Sequence, residues 1–203
     1  MATNVVVIGP PGAGKGTRIS QAKEIIPNVE SISTGNLLRK KGVDTSSGGL
    51  ISDDIIMEML KEELSSLRDK DIVVLDGVPR NVKQAEMMKD YGIIIDRIIY
   101  LPITEEAAIA RATDRLVCSN SDCQESYTEK SNFKLPKKKG VCDKCGCTLI
   151  RRADDNASTA AERIRVYMEK TYPVLDWYKE QGIPVFEIGI NDHNCLFINA
   201  VTG

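Results

Sequence analysis

The segment Asn4-Val5-Val6-Val7-Ile8-Gly9-Pro10-Pro11-Gly12-Ala13-Gly14-Lys15-Gly16-Thr17 leaves the chain few folds to choose from. A β-branched run predicts a buried strand, and the glycine-rich stretch behind it predicts a loop that turns backbone N–H groups toward an anion. A helix starts near Thr17, so its positive end lies behind that loop. The spacing Gly9-x4-Gly14-Lys15 is that of a phosphate-binding loop, with Lys15 reaching the outer phosphates as a point charge. The position after the lysine usually holds the Ser or Thr that binds Mg²⁺. Here it is Gly16, with Thr17 one residue later, so the metal is expected to be held through waters and a carboxylate elsewhere.

The 203 residues suffice for one sizeable core with a small insert. A net charge of −2 gives no global electrostatic case for nucleic acid or a membrane surface. No apolar run approaches the roughly 18 residues that span a bilayer. Strand begins at once, so no leader is expected, and a cytoplasmic location follows as the default.

Strands are predicted over Val5–Ile8, Val29–Ser33, Ile72–Leu75, Asp96–Leu101 and Pro184–Ile188. Helices are predicted over Thr17–Ile26, Thr34–Lys41, Asp53–Leu67 (capped by Ser52 or Asp53), Asn81–Tyr91, Glu105–Arg115 and Ser158 to about Gln181, despite Pro173. Asp44–Gly49 reads as a Ser/Gly-rich turn. Strands alternating with helices predict an α/β fold, a parallel sheet covered on both faces. Between Cys118 and Ile150 the chain turns polar and cysteine-rich, which predicts a separate insert. Two strand ends carry further candidates, because ligands bind at the carboxyl ends of strands in such sheets. One is Ser33-Thr34-Gly35-Asn36-Leu37-Leu38-Arg39. The other is Asp76-Gly77-Val78-Pro79-Arg80, where Asp76 can organise Mg²⁺ and its waters.

Together with Gln84, Arg163 and Arg152-Ala153-Asp154-Asp155-Asn156, these motifs resemble the adenylate kinase family of nucleoside monophosphate kinases, in order and over nearly the whole chain. The resemblance implies a core (1–32, 70–115 and 152–203), a shortened AMP-binding lobe (33–69) and a mobile lid (116–151). It implies transfer of a phosphoryl group from MgATP to AMP, giving two ADP. Gly12, Ala13, Gly14, Lys15, Gly16 and Thr17 then look like the ATP phosphate cradle, with Arg111 stacking on adenine and Arg115 and Tyr127 also on ATP. Thr34, Arg39, Gly77, Arg80, Gln84, Arg152 and Arg163 look like AMP contacts. Lys15, Asp76, Arg80, Arg115, Arg152 and Arg163 look catalytic, and Asp76 would hold Mg²⁺ through water. An acceptor phosphate is already anionic, so no general base is required. The lone His193, in a polar tail, reads as exposed and not catalytic. Thr34 and Gln84 can each hydrogen-bond a purine edge. Competing readings are a UMP or CMP kinase and a catalytically silent nucleotide sensor. A monomer acting on small nucleotides is expected.

The chain departs from the family's usual pattern at Asn36, Val78 and Leu116 and is short between Arg39 and Asp53. The stretch after Ile190 is expected to lack a closing helix.

Five of the six cysteines lie between Cys118 and Cys147, which in such a chain favours metal over disulfides. Cys118-x4-Cys123 and Cys142-x2-Cys145, separated by eighteen residues, predict a closed four-thiolate structural site. The insert is too small and polar to fold on core burial alone, and metal can supply the missing free energy. Relatives with a four-cysteine lid bind zinc there, so the resemblance implies Zn²⁺, with iron or cobalt as alternatives. Cys147 is a spare. Cys195 reads as an inert thiol.

Overall fold

Strand β1 (Thr3–Ile8) runs directly into the glycine loop and helix α1 (Lys15–Ile25). A computed structural model describes residues 2–40, 52–131, 134–152 and 155–203. After α1 come β2 (Val29–Ser33), α2 (Thr34–Lys40), α3 (Asp53–Ser66), β3 (Ile72–Asp76), α4 (Val82–Asp90), β4 (Arg97–Tyr100) and α5 (Glu105–Asp114). The insert contributes β5 (Arg115–Cys118), β6 (Ser126–Thr128) and β7 (Leu149–Ile150). The chain closes with α6 (Ala157–Val166), a π-helical turn (Tyr167–Thr171), α7 (Pro173–Glu180), β8 (Val185–Glu187) and α8 (Asn194–Thr202). The turn expected over Asp44–Gly49, and Lys41 at the expected end of α2, lie outside the described residues.

The five strands of the main sheet pair in the order β2-β3-β1-β4-β8, all parallel. β1 is buried on both faces, and its alternation sorts the core into two layers. Val6 and Ile8 pack with Met57, Leu60, Met88 and Leu175 on one side. Val5 and Val7 pack with Ile19, Ala22 and Phe197 on the other. Period-two alternation within a run that is apolar throughout is what a parallel strand between two helical layers requires. The connection after β1 runs toward β2 and the connection after β4 runs toward β8. The sheet therefore opens a crevice above these two neighbouring strands, at the mouth of the glycine loop.

Helix starts follow their caps. Ser52, not Asp53, caps α3 by accepting from Ile55 N, and Asn81 accepts from Gln84 N. The helix expected through Pro173 does run on to Glu180, but a π-helical turn at Tyr167–Thr171 interrupts its α pattern. A proline inside an α-helix lacks the N–H of its turn and crowds the carbonyl four residues back. The chain widens before it, and Tyr172 N donates to Tyr167 O at 2.8 Å.

The insert holds a second sheet, β6-β5-β7, antiparallel and only two to four residues per strand. No strand is foreseen there from the sequence, because runs this short carry no readable period. Its apolar core is Cys118, Tyr127, Cys142 and Leu149.

The expectation of no closing helix is wrong. Residues Asn194–Thr202 form α8, capped by His193, whose Nδ1 accepts from Cys195 N at 3.3 Å. Phe197, Ala200 and Val201, spaced i, i+3, i+4, are buried beside α1. Phe197→Ala is expected to lower stability by about 3–5 kcal/mol, as other buried Phe truncations do, measured by denaturant unfolding. A loss below about 1 kcal/mol would show that α8 is not part of the core. Among the described residues, no helix is long and apolar enough to cross a membrane.

Candidate active site

The loop after β1 is shaped by its glycines. Gly12 and Gly14 have φ of +85° and +87°, and a Cβ on Gly12 would sit 2.5 Å from the Ala108 carbonyl oxygen. Gly14 is the left-handed residue from which α1 starts, so the first free N–H groups of that helix face the loop. The Lys15 Nζ donates to Gly9 O at 2.6 Å and Pro10 O at 3.1 Å. Burial pushes its pKa below the ordinary lysine value. The Asp76 carboxylate opposes the shift, and Arg80 and Arg115 add to it.

A cavity of about 1370 Å³ opens over the loop, more than one small ligand requires. Gly12, Gly14, Lys15, Gly16 and Thr17 form one wall. Asp76, Gly77, Arg80, Arg111, Arg115, Tyr127, Arg152 and Arg163 form much of the rest. Ala13, Thr34 and Gln84 are buried behind this lining. The side chain of Arg39 lies outside the described residues.

The end of β3 is a built structure. Gly77, at φ +82°, passes so close to Thr34 that a Cβ would lie 2.9 Å from its Oγ1. Thr34 Oγ1 donates to Gly77 O at 2.9 Å, and Arg80 Nε donates to the same carbonyl at 2.9 Å. Arg80 N donates to Gln84 Oε1 at 2.7 Å, and Thr171 Oγ1 donates to Arg80 O at 2.7 Å. Burial lowers the Arg80 pKa; Asp76 opposes this and Arg163 reinforces it. Repulsion among cations in one cavity favours an anion there.

Arg115, where α5 gives way to β5, donates Nε to Asp155 Oδ2 at 2.9 Å and Nη2 to Asp155 Oδ1. The Asp155 side chain is only 1% exposed, so this bidentate pair is largely dry. It joins the two chain segments through which the insert leaves and re-enters. Arg111 packs against Gly14, with its Nη2 3.4 Å from where a Cβ would stand. Burial lowers the Arg111 pKa, and Arg18 adds to the shift. Thr171 and Asp155 have no role in the sequence reading. Asp155 stands within the Arg152–Asn156 motif, whereas the reach of Thr171 depends on the π turn and has no sequence signal.

In the insert, the Sγ atoms of Cys118, Cys123, Cys142 and Cys145 all lie within 4.8 Å of one another. Cys118 and Cys145 are 3.3 Å apart, and Cys123 and Cys142 are 3.7 Å apart. Four sulfurs around a tetrahedral zinc, each at about 2.3 Å, would stand about 3.8 Å apart, so the donor set fits such an ion. All six cysteines are unbridged. Cys142 N donates to Cys147 O, and Gly146 N to Cys142 O, which curls the second cysteine pair into a knuckle. Cys147 itself lies outside the cluster. Burial pushes the Cys118 thiol up to about 12. At Cys142 burial is outweighed by the Tyr127 hydroxyl and the N–H groups of Cys145 and Lys144, bringing it to about 6. Tyr127 is 3% exposed. Its hydroxyl is 3.6 Å from Cys142 Sγ and accepts from Asp143 N at 2.8 Å, so its polar end faces the thiols.

Comparison with known proteins bears on the whole arrangement. The adenylate kinase family model matches residues 7–183. An adenylate kinase of Thermosipho africanus (strain TCF52B) is 38% identical over 195 residues, covering 88% of each chain. One from Clostridium tetani (strain Massachusetts / E88) is 35% identical over 211 residues, covering 97% of this chain and 95% of its own. One from Fervidobacterium nodosum (strain ATCC 35602 / DSM 5306 / Rt17-B1) is 39% identical over 194 residues, covering 88% and 87%.

Proposed function

Because this chain belongs to the adenylate kinase family, we propose that its cavity transfers the terminal phosphoryl group of MgATP to AMP, giving two ADP. The observation that carries the reading is the convergence of Lys15, Asp76 and five arginines on one cavity at the carboxyl edge of the sheet. Phosphoryl transfer asks a protein for positioning and for neutralisation of equatorial charge. The acceptor phosphate brings its own anionic oxygen, so no side chain must remove a proton.

The ATP phosphates take the N–H groups of Gly12, Ala13, Gly14, Lys15, Gly16 and Thr17. Lys15 leaves its two loop carbonyls to follow the moving group. Arg111 stacks on the ATP adenine beside Gly14, while Tyr127 borders the ATP side. AMP takes Arg39, Arg80, Thr34, Gly77 and Gln84. Arg115, Arg152 and Arg163 close on the transferring group, with the Arg115 orientation preset by Asp155. Mg²⁺, carried with ATP, would neutralise phosphate charge, and Asp76 is the side chain that would hold it through water.

Residues 1–32, 70–115 and 152–203 act as the core, 33–69 as the AMP lobe and 116–151 as the lid. The four lid thiolates hold zinc as a structural ion. Unbridged cysteines suit a reducing compartment, and the reading places the enzyme in the cytoplasm as a monomer.

The two nucleotide sides are separable. Arg39→Ala and Arg80→Ala each remove a charge-assisted phosphate contact, and each is expected to raise the AMP KM about tenfold or more. The ATP Kd should change by less than about twofold. Weakened ATP with unchanged AMP, read by nucleotide titration, would reverse the assignment of the two sides.

A further inference from the structure

We propose that Asp53 decides which bases the acceptor side admits, by fixing the orientation of the Gln84 side-chain amide. The proposal rests on the reading above in which Gln84 faces the acceptor base.

Gln84 is 4% exposed and held at both ends of its amide. Its Oε1 accepts from Arg80 N at 2.7 Å, and its Nε2 donates to Asp53 Oδ1 at 2.7 Å. The two partners are of opposite kind. A backbone N–H can only donate and a carboxylate can only accept, so one orientation of the amide satisfies both. Rotating the amide by half a turn would set N–H against N–H at Arg80 and oxygen against carboxylate at Asp53. Without Asp53 the rotation would cost one neutral hydrogen bond. With it, a second and charge-assisted one is lost as well.

The two residues come from different elements, and each is positioned locally. Asp53 opens α3 directly after its Ser52 cap, and Gln84 lies in the first turn of α4, with its N–H on Asn81 Oδ1 at 2.7 Å. Lys83 Nζ approaches the other Asp53 oxygen at 3.6 Å, leaving Oδ1 to Gln84.

A locked amide has one N–H and one oxygen lone pair still to offer, in fixed order. That edge complements a base with an amino group next to an unprotonated ring nitrogen, as in adenine or cytosine. It mismatches a base with a carbonyl next to a ring N–H, as in hypoxanthine, guanine or uracil. A site built to hydrogen-bond one pattern rejects the other strongly, because the wrong partner leaves buried polar groups unpaired. Asp53 is thus a positioning residue for acceptor choice, acting through Gln84.

The test compares kcat/KM for AMP with kcat/KM for inosine monophosphate, at saturating MgATP, in the full chain. These acceptors differ only in the edge at issue. Four proteins are needed: the unaltered chain, Asp53→Ser, Gln84→Ala and the double variant. Serine is well tolerated at a helix start, but its hydroxyl can donate as well as accept and so no longer selects one amide orientation; Asp53→Ala, which leaves no acceptor at all, is read beside these four and is expected to give the same fall. Asp53→Ser is expected to lower the AMP preference about tenfold, the worth of one such hydrogen bond. The same change should have no further effect in the Gln84→Ala background. A helix-stabilising role alone would leave the ratio untouched. An unchanged ratio in Asp53→Ser, with a reduced one in Gln84→Ala, overturns the lock while Gln84 keeps its role. Unchanged ratios in both overturn the lock and the reading of Gln84 together. An equal fall in both backgrounds shows Asp53 acting without Gln84, and also overturns the proposal.

Discussion

Lys15→Met is expected to cut turnover by about 10²- to 10³-fold while leaving the fold intact. Methionine keeps most of the side-chain length and removes the ammonium. The lost charge is the one that Gly9 O and Pro10 O hold at the loop's mouth. Because burial already disfavours that charge, its removal should not destabilise the folded chain. The melting temperature should therefore stay within a few degrees, and ATP binding should weaken far less than turnover falls. Steady-state assays alongside thermal melts check this. Near-normal turnover would end the assignment of the glycine loop as the phosphate cradle.

Cys142→Ser is expected to release about one equivalent of metal and to unfold the lid locally. The lid core of Cys118, Tyr127, Cys142 and Leu149 is too small to hold the insert alone. In a chain of this size each 1 kcal/mol lost is worth about 2–4 °C, and losing a structural ion should lower the melting temperature by more than about 5 °C. The thiolates must shed protons to bind, so zinc affinity should fall as pH falls. Activity at low temperature should survive better than in Lys15→Met, because a four-thiolate site leaves no position for substrate. Metal analysis of protein purified without chelator decides the point. Near-zero zinc, iron and cobalt, with all six thiols titrating, would remove the site.

Much of the molecule is legible in the chain itself, and the reasons are physical. Strand β1 announces itself because its residues must be apolar on both faces, and Gly12 behind it because a side chain would be strained at φ +85° and would meet the Ala108 carbonyl. The four clustered cysteines are readable from spacing, because two short loops suffice to place four sulfurs. What escapes the sequence depends on distance along the chain. Asp53 and Gln84 are thirty-one positions apart and meet only once α3 packs on α4. Thr171 reaches Arg80 from a turn that exists because Pro173 prevents an ordinary helix. Helix α8 shows the opposite failure. Its apolar spacing at Phe197, Ala200 and Val201 is visible, but the asparagines around it mask the pattern.

The most direct measurement supplies the purified chain with MgATP and, in turn, AMP, UMP, CMP and GMP, and follows diphosphate formation. The account predicts that AMP is the fastest acceptor by a wide margin and that two ADP appear for each AMP consumed. A faster rate with another monophosphate, or ATP binding with transfer to none of the four, would contradict it.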